Sequence, residues 1–460
     1  MSAPILHYGT FDVANYGDLL FPLILEARLA DLGPLVHLSP VGGPPPIPGA
    51  VASRSPEAFE GPLAGVVVGG GHLIHAAPSS LAAYSTPPVR ALTAYPTLWL
   101  GAADRALGAG VPLVWNAPGL PSAFAPRAAA VLDWATELAD YLSVRDARSA
   151  ELLRRAGCRC EVAVVPDTGF EVASLFPAHE LERAYVEAFR ARGIERTGPT
   201  LAFHANARYL REEIPLVAAR IERIAEQAGA MPVLLALGAC HGDDALARAL
   251  AARMRRPALV VDQPRSLCEL AACIAHSVAY LGSSLHGAIT ALAFGGKAAL
   301  VAREPGDGGK FSGLLTEHGL ADWLLRDWEM AEQRFAELMA APPEPWRAVA
   351  RTVAPALERH WARLRTALAG PPTRPERRAD ARMRLEARVR ADLAELGVHA
   401  ALLVHQAEMT LDQMAKLARQ REQTAELKAS YRDAARRLRA RIAELERAEP
   451  GAETGPRDPT

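Results

Sequence analysis

The chain has 460 residues, of which 50% are hydrophobic and 22% are charged, a balance typical of globular proteins large enough for two domains. Its formal net charge of -1 gives no electrostatic case for nucleic acid or an anionic membrane surface as the main partner. The five cysteines lack the paired CxxC pattern, which makes zinc ribbons and disulfide scaffolds poor explanations. The sequence shows no cluster of metal ligands, so we expect no bound metal.

Composition and the first residues also bear on the compartment in which the protein works. No basic stretch followed by a long apolar one begins the chain, so the sequence predicts no signal peptide. There is no window of about 18 uncharged apolar residues that would predict a spanning helix. We therefore expect a cytoplasmic protein. Abundant Ala, Arg, Gly and Pro with little Lys are associated with GC-rich bacterial genomes.

A first strand, residues 5–8, leads into a polar loop and a helix. From Asp18 onwards apolar residues recur at helical spacing, and Asp18 is placed to cap this helix or to favour its positive end. Further on, the β-branched run 66–68 ends in glycines, and Gly70 and Gly71 would let the backbone approach a ligand closely. This is not a GxGxxG fingerprint, and the Lys-Ser or Lys-Thr of a nucleotide P-loop does not follow.

Three further side chains of the first half are candidates for a cleft. His72 and His75 follow the glycines, although a surface position is the default expectation for each. Arg145 follows a predicted strand and is a bidentate donor suited to a carboxylate or phosphate. The alternative is that Arg145 forms an ion pair with Asp146 or another nearby acid.

The alternation of strands and helices restarts at residue 201, after a polar helix and linker. This restart predicts an α/β fold with two Rossmann-like parallel-sheet domains, residues 1–177 and 198–330. Their arrangement should be glycosyltransferase-B-like, with a cleft between the domains.

An apolar strand of the second half ends in hydroxyls, an imidazole and a glycine before a buried helix begins. Residues 277–281 form this strand, and Gly282, Ser283, Ser284 and His286 follow it. Ligands of open parallel sheets bind beyond the carboxyl ends of strands, where amides at a helix start can hold an anion. The alternative is that the serines cap the helix and the histidine packs against a neighbouring loop.

A loop and further helices come after this motif. Lys310 follows the glycine-rich residues 306–309, which suit a loop closing over an anion, although a solvated lysine is the commoner outcome. Residues 331–370 are predicted to form helical segments that pack back over the domains.

The C-terminal part has a different pattern. Apolar residues separated by threes and fours run through residues 376–448 and predict a long coiled-coil helix. One helix cannot bury such a seam alone, so it should pair with a second copy, fold back as a hairpin or bind a partner. A homodimer is the first expectation, and residues 449–460 are expected to be disordered.

Several of these motifs, in their order along the chain, resemble the polysaccharide pyruvyl transferase family. They are Asn15-x-Gly17-Asp18, the glycines at 69–71, Ser143-x-Arg145-Asp146, Pro166-Asp167, Ser283-x-x-His286-Gly287 and Lys310. The resemblance covers roughly residues 1–330 and implies an enzyme that moves a pyruvyl group from phosphoenolpyruvate to two sugar hydroxyls, forming a ketal. The implied acceptor is a glycan or lipid-linked sugar of a cell-surface polysaccharide or exopolysaccharide, and no cofactor is implied beside the donor.

The resemblance also implies roles for individual residues. His286 is the catalytic candidate, since a histidine near neutral pKa can both give and take a proton. The cationic and amide partners implied for the anionic donor are Arg145, Arg208, Lys310 and the backbone at Ser283 and Ser284. The residues that could position acceptor hydroxyls or line the cleft are Asn15, Asp18, Gly70 and Gly71.

One position departs from the family pattern. Many members carry an arginine immediately before the Leu-His, where this chain has Ser284. Either another cation, Arg208 first, replaces that arginine, or this branch uses a different donor. Two alternatives from other classes also stand: a glycosyltransferase of the same architecture that uses a nucleotide sugar, and a catalytically silent scaffold that acts through its coiled-coil tail.

Overall fold

The structure is a computed structural model that describes residues 3–304 and 309–372, and beyond them residues 380, 383, 416, 419, 420, 422–430, 432, 433 and 436–440. The chain divides into two compact units, residues 1–383 and 384–460. The described residues of the second unit are helical and exposed. Most of the predicted coiled coil, residues 376–448, and all of the predicted tail, residues 449–460, lie outside the described residues, so the homodimer stays a prediction.

Six parallel strands form a first sheet, because short apolar runs alternate with helices along the first part of the chain. The strands are β1 (Ile5–Tyr8), β2 (Leu35–Leu38), β3 (Gly65–Gly69), β4 (Leu113–Asn116), β5 (Tyr141–Val144) and β6 (Ala163–Val164). Their order across the sheet is β2-β1-β3-β4-β5-β6. The carboxyl ends of parallel strands lie at one edge, which brings the loops after β1, β3 and β5 together.

A second sheet of six parallel strands follows the restart of the pattern. The strands are β7 (Thr200–His204), β8 (Met231–Leu235), β9 (Leu259–Val261), β10 (Ser277–Gly282), β11 (Lys297–Val301) and β12 (Leu324–Leu325). Their order is β12-β11-β10-β7-β8-β9, so the strand before the Ser-Ser-Leu-His motif is central. The predicted pair of parallel α/β sheets is confirmed.

Helices connect the strands of both sheets. They are α1 (Tyr16–Leu29), α2 (Pro88–Pro96), α3 (Ala102–Ala109), α4 (Pro126–Glu137), α5 (Ala147–Arg155), α6 (Val172–Leu175), α7 (Ala178–Arg190), α8 (Ile214–Gln227), α9 (Asp243–Ala251), α10 (Leu267–Ala275), α11 (Leu285–Ala293), α12 (Lys310–Glu317), α13 (Trp328–Ala340) and α14 (Glu344–Ala369). Within the described part of the chain, no helix combines the length and the apolar character that crossing a membrane requires.

The long helix α14 contacts both sheets. Near its start the buried indole of Trp346 donates to the carbonyl oxygen of Ala298 in β11 at 3.0 Å. Further along, His360 Nε2 lies 2.8 Å from the Asn116 side-chain oxygen at the end of β4. At its end Leu368 packs so closely on Gly65, the first residue of β3, that a Cβ there would lie 2.8 Å from it. The helix therefore fixes the two sheets relative to each other.

The start of α1 also joins the two halves. The amide of Tyr16 donates to the carbonyl oxygen of Leu237 at 2.7 Å, and Asn15 forms an isolated antiparallel bridge with Gly238. The buried hydroxyl of Tyr16 lies 3.0 Å from Thr290 Oγ1 in α11. The loop after β1 is thus held against the loops of the second sheet.

We expect Trp346→Ala to lower the free energy of unfolding by about 3–5 kcal/mol, because it opens a cavity where α14 packs and leaves the Ala298 carbonyl without its donor. Urea denaturation followed by circular dichroism measures the change. The matched control is Val186→Ala on α7, where the side chain is 55% exposed and the change should stay within about 0.5 kcal/mol. Equal stability of the two variants would contradict the role assigned to α14.

Candidate functional site

A cavity of about 370 Å³ lies where the carboxyl ends of the two sheets face each other. It brings together nearly all of the residues singled out in the sequence: Asn15, Asp18, Gly71, Arg145, Arg208, Ser283, Ser284, His286 and Lys310. Gly70 does not line it but packs against the ring of Phe21. Parallel strands end at this edge in both sheets, which is why residues distant in sequence meet here.

His286 is the second residue of α11 and faces a carboxylate of the first half. Ser284 caps the helix by accepting a hydrogen bond from the amide of Gly287 at 3.2 Å, which fixes the first turn. The His286 Nε2 atom is buried and lies 3.7 Å from Asp167 Oδ2, beyond hydrogen-bond distance. Among the described residues Nε2 has no hydrogen-bond partner.

Asp167 lies between His286 and Arg145. Arg145 Nη1 donates to Asp167 Oδ2 at 3.1 Å, and Arg145 Nε lies 3.6 Å from Asp146 Oδ2. Burial alone would raise the pKa of Asp167, but His286, Arg145 and the amide of Gly169 outweigh it and hold the pKa at about 2. The expected ion pair of Arg145 is therefore present, and the same side chain also lines the cavity.

Gly17 explains why the first motif of the chain needs a glycine. A Cβ at this position would lie 1.8 Å from Nδ1 of His286. No side chain could occupy that space without moving the imidazole, because real Cβ contacts below 3.0 Å are essentially never seen. Gly17 is therefore the point at which α1 of the first half touches the histidine of the second half.

Asp18 is in the first turn of α1 but does not cap it, since the N-cap residue is Asn15. Gly71, with a left-handed φ of 74°, leaves room for the carboxylate: a Cβ there would lie 2.9 Å from Asp18 Oδ1. Burial raises the pKa of Asp18 to about 6, against the opposing charge of His286 and the hydrogen bond from Thr10. Asp18 is thus the carboxylate of the cavity that titrates near neutral pH.

Lys310 is helical rather than part of a solvated loop. It is the first residue of α12, whose amides at Phe311 and Ser312 donate to the Glu304 carboxylate at 3.0 and 2.9 Å. Burial, with the charges of Arg145 and Arg208, lowers the pKa of Lys310 to about 8. The lysine therefore lies close to other cations in a partly desolvated place, which favours an anion beside it.

The two serines of the central motif are engaged within the protein. Ser283 Oγ donates to the carbonyl oxygen of Val301 at 2.8 Å, and its amide donates to the carbonyl oxygen of His204 at 3.1 Å. The amide of Ser284 donates to the hydroxyl of Tyr280 at 3.3 Å, while its own hydroxyl caps α11. Both serines therefore organise the end of β10 and the start of α11.

A second histidine and carboxylate face the same cavity from the second half. His204, the last residue of β7, has Nε2 2.7 Å from Oδ2 of Asp243, the first residue of α9. Asn206 donates to the other oxygen of Asp243 at 2.7 Å. Neither His204 nor Asp243 belongs to the sequence motifs described above, although a polar residue at the end of an apolar strand is the signal that marks such positions.

The histidines after the glycines of β3 line the cavity, so the default expectation of surface positions was wrong. Burial, together with the charges of Arg145 and Lys310, lowers the pKa of His72 well below its usual value. His72 is therefore neutral at pH 7. The ring of His75 packs against Tyr95 in a tilted arrangement, with 3.9 Å between centroids. In the described ranges, no group of three or more His, Cys, Asp or Glu is arranged to hold a metal ion.

Comparisons with known proteins identify a family and similar solved structures. A family model described as "Polysaccharide pyruvyl transferase" matches residues 15–305. The solved UDP-GlcNAc 2-epimerase from Neisseria meningitidis is 11% identical, with a TM-score of 0.50 over 79% of this chain and 99% of its own. The alpha,alpha-trehalose-phosphate synthase (UDP-forming) from Burkholderia vietnamiensis is 14% identical, with a TM-score of 0.45 over 82% and 99%. A search of curated proteins found no match.

Asp18→Asn should stabilise the protein at pH 8 by about 2 kcal/mol, because a carboxyl with a raised pKa is costly to ionise in the folded state. A protonated Asp18 stabilises the fold below its unfolded pKa, and this contribution is lost as pH rises through about 6. The gain of the amide variant should therefore shrink as pH falls from 8 towards 4. Chemical denaturation at several pH values measures it.

The matched control is Asp31→Asn, in which an exposed carboxylate that pairs with Arg365 and has a lowered pKa is replaced. This variant should show no gain at pH 8. A gain for Asp18→Asn that is the same at pH 4 and pH 8 would contradict the assigned titration.

Proposed function

Because this chain belongs to the polysaccharide pyruvyl transferase family, we propose that it transfers the pyruvyl group of phosphoenolpyruvate to two hydroxyls of a glycan or lipid-linked sugar, forming a cyclic ketal. One observation carries the proposal: a single cavity contains an imidazole facing a buried carboxylate and three cationic side chains. The donor is a small dianion or trianion with a carbon that must be protonated, and these groups match its two demands.

The cations bind the donor in this proposal. Phosphoenolpyruvate carries a carboxylate and a phosphate, and Arg145, Arg208 and Lys310 all line the cavity. Asp167 holds the side chain of Arg145 in a fixed position, which favours a bidentate contact to the carboxylate of the donor. Arg208 is exposed and lines the cavity, so its guanidinium can bind the phosphate.

His286 is the proton-transfer residue for the first addition. With Nε2 facing Asp167, the other ring nitrogen, Nδ1, exchanges the proton. Nδ1 of His286 gives its proton to the methylene carbon of the donor, and the double-bond electrons form the new C–H bond. The oxygen of a sugar hydroxyl then adds to C2, and the hydroxyl proton returns to Nδ1. The buried, ionised Asp167 stabilises the imidazolium form.

Asp18 and Asn15 position the acceptor. Both line the cavity beside His286, and a carboxylate with a pKa of about 6 is ionised at pH 7 and accepts a hydrogen bond from a sugar hydroxyl. Asn15 has no side-chain capping bond in α1, so its amide group remains available for the same ligand. Hydrogen bonds from the acceptor hydroxyls thus compensate the free-energy cost of burying the Asp18 carboxylate.

Calorimetric titration with phosphoenolpyruvate tests donor binding. Wild type should bind saturably, and Arg208→Ala and Arg145→Ala should each weaken binding about 10- to 100-fold, since each removes a charge-assisted contact. Arg253→Ala is the matched control because Arg253 is exposed and outside the cavity. No binding at millimolar donor by folded protein, with binding of a UDP-sugar instead, would favour the nucleotide-sugar alternative.

Ser284 allows a gain-of-binding test at the position where many family members have arginine. Ser284→Arg combined with Arg208→Ala should recover donor affinity relative to Arg208→Ala alone, because the new guanidinium enters the same cavity. Ser284→Ala separates the loss of the helix cap, about 1 kcal/mol of stability, from the gained charge. No recovery by the arginine variant would contradict the replacement of one cation by the other.

Gly17→Ala should reduce turnover about 100-fold, because a methyl group placed on Nδ1 displaces the imidazole of His286. Turnover is measured as phosphate release together with the appearance of the ketal methyl signal in proton NMR. Gly108→Ala is the matched control: it lies within α3 and faces open space, so turnover should not change. Equal turnover of the two variants would remove the assigned role of the Gly17 contact.

A further inference from the structure

We propose that His204, positioned by Asp243, is a second catalytic base of this site and accepts the proton of the second sugar hydroxyl when the ketal ring closes. The inference rests on the proposed function but concerns a pair of residues to which neither the resemblance nor the comparisons assign a role. It is carried by the placement of one buried imidazole on the wall of the cavity.

His204 is 3% exposed and lines the cavity from the end of β7. Its Nε2 donates to Asp243 Oδ2 at 2.7 Å, and this bond selects the tautomer in which Nδ1 carries a lone pair. Nδ1 is buried and has no hydrogen-bond partner among the described residues. A polar atom of this kind is costly to leave unsatisfied, so a ligand hydroxyl in the cavity is the partner that it lacks.

Asp243 is itself fixed from two sides. Its Oδ1 accepts a hydrogen bond from Asn206 at 2.7 Å, and its Oδ2 accepts the one from His204. Gly238 makes room for this carboxylate, because a Cβ there would lie 2.9 Å from Asp243 Oδ2. A carboxylate behind an imidazole orients the ring and stabilises the imidazolium formed by proton uptake.

Ketal formation removes a proton from each of two hydroxyls, whereas hydrolysis or a single transfer removes one proton from one hydroxyl. Two hydroxyls are deprotonated, while the methylene carbon receives one proton and the leaving phosphate receives the other. His286 and Asp167 form one histidine and carboxylate pair of the cavity, and His204 and Asp243 form the other. Each hydroxyl therefore has an imidazole of its own.

The step balances without any further reactant. The C2–O bond to phosphate breaks and its electron pair leaves with phosphate, so that C2 becomes an oxocarbenium centre. The oxygen of the second hydroxyl forms the new bond to C2, and its proton moves to Nδ1 of His204. That proton then passes to the departing phosphate, which leaves as hydrogen phosphate, and His204 returns to its neutral form.

The test separates the two additions by isotope exchange. Wild type and His204→Gln are incubated in D2O with phosphoenolpyruvate and methyl β-galactopyranoside as the acceptor probe. The variant should lose ketal formation about 100- to 10,000-fold, because it lacks the second base. Deuterium incorporation into the donor methylene reports reversible first addition, which depends on His286, and should stay within about threefold of wild type. Parallel loss of both signals would overturn the proposal.

Two further variants are needed: Asp243→Asn tests the partner of His204, and His360→Gln is the control. Asp243→Asn keeps the shape of the pair but removes its charge, so it should lower ketal formation and spare exchange as His204→Gln does. His360 is a buried histidine outside the cavity with partners on both ring nitrogens. His360→Gln should change ketal formation and exchange together, if at all, because only stability is affected.

Nitrogen NMR of the His204 imidazole tests the proposal without relying on turnover. In protein labelled with ¹⁵N at histidine, His204 should show the tautomer protonated at Nε2, and saturating methyl β-galactopyranoside should shift its Nδ1 resonance. A tautomer protonated at Nδ1, or a resonance that the sugar does not move, would overturn the proposal. Absence of ketal formation and exchange in wild type would instead refute the proposed function while the ¹⁵N result still decides the role of His204.

Discussion

The contact between Gly17 and His286 is the constraint on which the site depends. It joins the first turn of α1 in one sheet domain to the first turn of α11 in the other, and a Cβ on Gly17 would lie 1.8 Å from the ring. The hydrogen bond from Tyr16 to Leu237 and the bridge of Asn15 with Gly238 hold the same loop in place. The imidazole is therefore positioned by backbone of the opposite half, which is a stiffer support than a side chain.

Several buried ionisable side chains with shifted pKa values lie around this contact. Burial raises the pKa of Asp18 to about 6 and lowers the pKa of Lys310 to about 8, so burial disfavours the charged form of each side chain. Asp167 has a pKa of about 2 because His286 and Arg145 outweigh its burial. Groups with opposed shifts in one cavity are expected where an anion and several hydroxyls must be bound and protons moved.

Much of the fold and part of the site could be predicted from the sequence. The ends of the strands could be recognised in the sequence, because apolar runs are followed there by polar residues or glycine. This pattern predicted that Arg145 and His286 lie at the edge of the sheets where the cavity is found. The pairs His286 with Asp167 and His204 with Asp243 could not be predicted from the sequence. The two members of each pair are far apart in sequence, and only the order of the strands in the sheets brings them together. Periodicity reports which face of an element is buried but not which element lies beside it.

The end of α14 packs far from the cavity. Leu368 packs on Gly65, the first residue of β3, whereas the cavity lies beyond the last residues of the same strand. The described end of α14 therefore lies at the amino-terminal edge of the first sheet, about a strand's length away from the cavity. Substitutions at Leu368 would therefore disturb the packing of β3 without changing a residue that lines the cavity.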